Sequence, residues 1–199
     1  MKKIIHILIV AAIIASGYYL YLYWALGNDS VEQPVTQEYF TYSESDIGLE
    51  FDYRQRPNGY VVNQRMLVDL GTGLIKNIIL IRTEDTILES PEGGEGPPVI
   101  NISVFENIKK QVPRAWADEN TQYSNINLMM GEVDESILAG AHAIRYMADG
   151  LYTSENAVVA HGDHMYVIRG QFLDQDSPIR LDYRALVESI RFIPAPVQN

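Results

Sequence analysis

His161-Gly162-Asp163-His164 is the segment whose residue types and spacing come nearest to chemistry. If Gly162-Asp163 forms a two-residue hairpin turn, the two histidines become directly opposed cross-strand neighbours. Their Cβ atoms then lie about 5 Å apart on one face. Two imidazoles so placed, with Asp163 beside them, are the start of a Zn2+ or Cu2+ site. A catalytic zinc takes three protein ligands, so a third would have to come from His142 or a distant carboxylate. The alternative is two polar residues flanking an exposed turn.

The remaining candidates are thinner. Ser, His and Asp all occur, but there is no Gly-x-Ser-x-Gly elbow, no His-Glu-x-x-His helix and no phosphate loop. Gly71-Thr72-Gly73 lacks the further Gly or Lys that a phosphate needs and reads as a turn. Glu84-Asp85 and Glu155 lack, in sequence, the buried setting that tunes a general acid. The acids Glu84, Asp85, Glu89, Glu92 and Glu95 could gather Ca2+. They lack the regular spacing of a calcium loop, and the Gly-, Pro- and Glu-rich stretch 84–98 favours a solvated exposed loop. With no cysteine, disulfides, thiolate zinc sites and cysteine nucleophiles are excluded. The expectation is a protein that is not an enzyme and carries no cofactor.

The elements that must position these residues follow a marked asymmetry. Residues 4–26 run for 23 positions without Asp, Glu, Lys or Arg. About 20 apolar residues cross a hydrocarbon core of roughly 30 Å, so this stretch is long enough to span a membrane. Lys2 and Lys3 precede it and Asp29 follows, which sets the N-terminus inside and the remainder outside. Tyr18, Tyr19, Tyr21, Tyr23 and Trp24 crowd its outer half, where amphipathic rings reach the headgroups. A cleaved signal peptide, with Ala15 and Gly17 flanking the cut, would leave 18–26 as an apolar new terminus. A retained anchor at 1–27 is the expectation. A pseudopilin-like subunit is disfavoured, because the apolar segment has no internal Glu and a Pro-bearing stalk follows.

All 26 acids lie beyond residue 27, against 13 of the 15 bases. Such a field repels nucleic acid and anionic headgroups, and it keeps a domain soluble. Residues 28–38, with Pro34, read as a flexible stalk, 39–194 as one extracytoplasmic domain, and 195–199 as a tail.

Within 39–194 the pattern is that of a sheet with two helical interruptions. Leu49, Phe51 and Tyr53 alternate with Glu50 and Asp52, as in a half-buried strand. Further strands are predicted over 59–63 after a Pro57-Asn58-Gly59 turn, 75–81 as a central strand, 99–105 and 190–193. Hairpins are predicted over 132–148, turned at Ala139-Gly140, and over 157–172, turned at Gly162-Asp163. Pro113 opens a helix over 113–120 that carries Trp116, a core residue or an interface anchor. Ser177 can cap, and Pro178 open, a helix to about Ser189 with Ile179, Tyr183, Leu186, Val187 and Ile190 on its buried stripe. Tyr39, Phe40 and Tyr42 either dock on a neighbour or pair with the sheet. The fold class is α+β, a mostly antiparallel β-sheet covered by a few helices.

The order of these elements resembles the PsbP-like fold. The residues that carry the resemblance are Gly48 to Tyr53, the strand at Gly59-Tyr60-Val61-Val62, the helix at Trp116, the hinge at Gly140, the strand Tyr166-Val167-Ile168 and the close at Ser189-Ile190-Arg191-Phe192. That fold is shared by extrinsic photosystem proteins, a Ran-binding import factor and many bacterial anchored domains. The resemblance implies a layered domain that binds protein partners and has no shared catalytic residues. No residue marks a photosynthetic role. The reading that follows is a membrane-anchored domain binding an envelope protein, with a metal- or ligand-binding domain built on His161 and His164 as the alternative.

Overall fold

In a computed structural model of the chain, the structure describes residues 38–55, 59–65, 73–87 and 96–194. The folded unit begins at Glu38. The expected anchor, most of the stalk, the Pro57-Asn58 turn, residues 88–95 of the acidic loop and the tail lie outside the described residues. Among the described residues no helix is long and apolar enough to cross a membrane.

Among the described residues, ten strands and three α-helices make two sheets and their helical covers. The strands are β1 (Tyr39–Glu44), β2 (Leu49–Arg54), β3 (Tyr60–Arg65), β4 (Leu74–Arg82), β5 (Ile100–Glu106), β6 (Met129–Leu138), β7 (Ala141–Asp149), β8 (Thr153–His161), β9 (His164–Phe172) and β10 (Arg191–Phe192). The helices are α1 (Pro113–Glu119), α2 (Thr121–Ser124) and α3 (Pro178–Ser189). The larger sheet runs β3-β4-β5-β9-β8-β7-β6 and the smaller β1-β2-β10. Every pairing is antiparallel.

The middle of the large sheet is buried on both faces, so β9 runs apolar on both sides from Met165 to Ile168. Along β9, Tyr166, Ile168 and Phe172 enter one core and Met165 and Val167 the other. The first core joins that face to Leu49 and Phe51 of the small sheet and to the buried stripe of α3. Ile179, Tyr183, Leu186, Val187 and Ile190 are all buried there, as their helical spacing predicts. The second core holds Trp116 and Ala117 of α1 against Phe105, Ile144 and Val158. Trp116 is thus a core residue, its ring 4.9 Å from that of Phe105.

One open alternative is decided by the fold, and several local expectations are revised. Residues 39–44 form β1 on the edge of the small sheet. Tyr42 stacks on Phe51 at 4.8 Å, while Tyr39 and Phe40 stay exposed. β8 starts at Thr153 instead of Ala157. The polar run Ser154-Glu155-Asn156 hid the strand because Asn156 is buried by bonding to Ser154 and Arg169, not by being apolar. β6 starts at Met129 and bulges between Met130 and Asp134, so the alternation breaks there. Ser177 stands at the N-cap of α3 but its hydroxyl makes no capping bond; its carbonyl accepts from the Arg180 N–H at 3.0 Å.

Candidate functional site

The β8–β9 hairpin turns as predicted: Gly162 takes the positive φ of 58°, and His161 pairs with His164 across the ladder. The turn is pinned from outside. Lys110 forms an ion pair with Asp163, and the Asn107 N–H donates to the Asp163 carbonyl at 2.7 Å. The Lys110 bond holds the Asp163 carboxyl below the usual range.

Each imidazole already has an aromatic neighbour. His161 lies flat on Phe192 of β10, with ring centres 4.2 Å apart and planes 6° from parallel. His164 meets the edge of Tyr166 at 6.0 Å. Burial pushes His164 below the ordinary histidine value, a state that leaves the ring neutral. The Tyr166 hydroxyl donates to the Ile47 carbonyl at 2.6 Å, and burial drives its pKa up to about 12.

His142 does not join this pair. The next residue, Ala143, pairs with Val159 and faces the same core, and Val159 shares a face with His161, so His142 projects from the opposite face. It bonds to Glu135 at 2.7 Å. Among the described residues, no three of His, Asp and Glu form a set that could hold a metal ion. Glu84 and Asp85 are likewise occupied, both paired with Arg82.

A second locus lies where α3 leaves part of the sheet uncovered. α3 packs on β2 and β9. Beside it a cleft of about 550 Å³ opens over β6, β7 and β8. Met130 and Met147 supply apolar floor, and Arg145, Glu132, Asp134 and Glu188 reach it from strand and helix. At its inner wall Glu155 accepts from Arg180 Nε at 2.8 Å and from Arg184 Nε at 2.9 Å. Arg180 also lies over the Phe172 ring at 5.0 Å. Burial raises the Glu155 pKa, but the bonds from Arg184 and Arg180 outweigh it and hold the carboxyl below the ordinary range. Glu155 therefore stays ionised and offers no proton.

Glu155 was visible in the sequence only as an acid without a setting. The signal that could have marked it is the i, i+4 pair Arg180 and Arg184 on one face of α3. Nothing local says which strand that face meets.

With two helices on one face of the large sheet, and the small sheet and α3 on the other, the chain has the PsbP-like α+β fold. Among solved structures it is similar to the solution structure of cyanobacterial PsbP (CyanoP) from Synechocystis sp. PCC 6803, with a TM-score of 0.52 and 10% identity, over 83% of this chain and 99% of that one. No protein-family model matches the chain, and no match is found among curated proteins.

Proposed function

We propose that this chain is a single-pass membrane protein whose residues 39–194 form an extracytoplasmic domain that binds a protein partner at the cell envelope and catalyses no reaction. The apolar stretch 4–26, with Lys2 and Lys3 before it, supports the anchor and its orientation. The observation that carries the binding reading is the cleft beside α3. It combines thioether floor and open charge, while its inner carboxylate is neutralised by two arginines and is not poised for acid–base work.

In-cell crosslinking of the full-length chain, followed by mass spectrometry, tests the reading. One dominant envelope protein joined to residues 39–194 is the expected result; recovery of abundant bystanders alone overturns it. The orientation is read separately by replacing exposed Ser43 with cysteine in this cysteine-free chain. A membrane-impermeant maleimide should label it in intact spheroplasts.

A metal-binding domain on the hairpin is the second reading, favoured by the direct register of His161 with His164. Zn2+ or Cu2+ at a hundred times its dissociation constant should then add about 2.7 kcal/mol of stability. A variant carrying His161→Ala and His164→Ala should lose the effect. No thermal shift in the unaltered chain ends this idea.

A further inference from the structure

We propose that the cleft beside α3 receives a basic, extended segment of the partner protein, seating a lysine or arginine side chain. The aliphatic stem would lie on Met130 and Met147, and the charge among Glu132, Asp134 and Glu188. The inference rests on the partner-binding reading and adds the chemistry of the partner.

The argument is a balance of unpaired charge. Glu155 is engaged by Arg180 and Arg184 at the inner wall. Among the described residues, the side chains of Glu132, Asp134 and Glu188 form no ion pair, and neither does that of Arg145. Along the lining four carboxylates stand against three guanidiniums, an excess of one acid, and the three that form no ion pair, Glu132, Asp134 and Glu188, are all exposed, so the open part of the cleft is acidic. An anionic ligand at Arg145 would meet Asp134, its direct partner across the ladder. A cation meets complementary charge and is drawn in by the net charge of −11 on the chain.

The floor suits the same occupant. Met147 is half-buried and Met130 is 40% exposed. Methionine adapts to irregular apolar partners, and long basic side chains lay their methylene stems on such surfaces while the charge stays wet. The geometry also admits a backbone: among the described residues β6 is an edge of the large sheet with its outer side unpaired, and its Glu132 and Asp134 line the cleft. An approaching extended chain therefore meets the acids first.

The test titrates the full-length chain in detergent micelles with dye-labelled, end-capped hexapeptides of alternating Gly and Lys, and with the matched Gly-Glu peptide, read by fluorescence anisotropy. The Lys peptide should bind, more weakly as salt rises, and the Glu peptide should not. A chain carrying Glu132→Gln, Asp134→Asn and Glu188→Gln should lose about tenfold in affinity with an unchanged melting temperature, because these exposed acids hold nothing in place. Arg145→Gln removes a like charge that holds no carboxylate in an ion pair and should tighten binding about threefold. A control chain carrying Glu38→Gln, Asp46→Asn and Glu119→Gln, equal in charge but away from the cleft, should bind within about twofold of the unaltered chain.

Equal weakening by both triple variants overturns the proposal, since it would show a general field and no site. So does binding of the Glu peptide, absence of Lys-peptide binding at low salt, or displacement of the Lys peptide by spermidine at equal concentration, which would point to a free polyamine. If the peptide fails while the cleft variant still crosslinks to one envelope protein, this proposal falls and the partner-binding reading stands.

Discussion

Gly170 of β9 lies directly beneath Tyr183 of α3, so close that a Cβ built on the glycine would stand 2.6 Å from Tyr183 Cβ. The conflict is with the root of the tyrosine side chain, which cannot swing away without moving the helix. Gly170→Ala should therefore destabilise the domain by about 3 kcal/mol through overpacking. Urea denaturation checks this. A Tyr183→Ala background should relieve only the part due to the ring, because alanine keeps the Cβ that stands 2.6 Å away.

Glu155→Gln should cost about 2 kcal/mol at neutral pH by leaving Arg180 and Arg184 without their carboxylate. The pH dependence carries the sign. The folded pKa of Glu155 lies below the ordinary 4.5, so on acidification the unfolded chain takes up the proton first. Its contribution is whole above pH 4.5 and is lost as pH falls through the folded value. Stability curves of the two proteins should converge over that window. Parallel curves would show that the pair contributes nothing.

Arg169 is half-buried, and among the described residues it forms no ion pair. It donates to Asn156 Oδ1 at 2.9 Å and to the Tyr123 carbonyl, and burial lowers its pKa. Arg169→Met should leave both acceptors unsatisfied and cost about 2 kcal/mol. Because Tyr123 belongs to α2, amide hydrogen exchange should quicken over residues 121–128 before it does so in the strands.

Phe192 holds the short strand β10 onto the hairpin by stacking on His161, and its ring lies 5.0 Å from that of Tyr166. Phe192→Ala should cost about 1 kcal/mol of aromatic packing beyond lost area. The sharper readout is NMR: the His161 ring protons should lose the ring-current shift that the parallel Phe192 imposes, while those of His142 stay in place.

The local features of the fold were legible in order along the chain. The turn at Ala139-Gly140 was readable because both residues take positive φ, 48° and 81°, in a two-residue connection. The stripe of α3 was readable because its apolar period matches the helix. The strand starts at Thr153 and Met129 were missed where a polar network or a bulge replaced alternation. The hairpin register that brings His161 opposite His164 was legible too. Its aromatic partner Phe192, from the last strand, was not.

By itself, then, the sequence determined the asymmetry of the chain, the α+β class and the places where it turns, because periodicity, proline and glycine act over a few residues. Tertiary structure alone decided that Glu155 of β8 meets Arg180 and Arg184, which lie 25 and 29 positions away. It also decided that His142 faces away from the other two histidines, and that α3 is placed so as to leave a charged cleft over β6 to β8. The reason is parity and crossover. A one-residue change of register reverses every side chain of a strand, and the position of a helix on a sheet depends on shapes contributed by elements far apart in sequence.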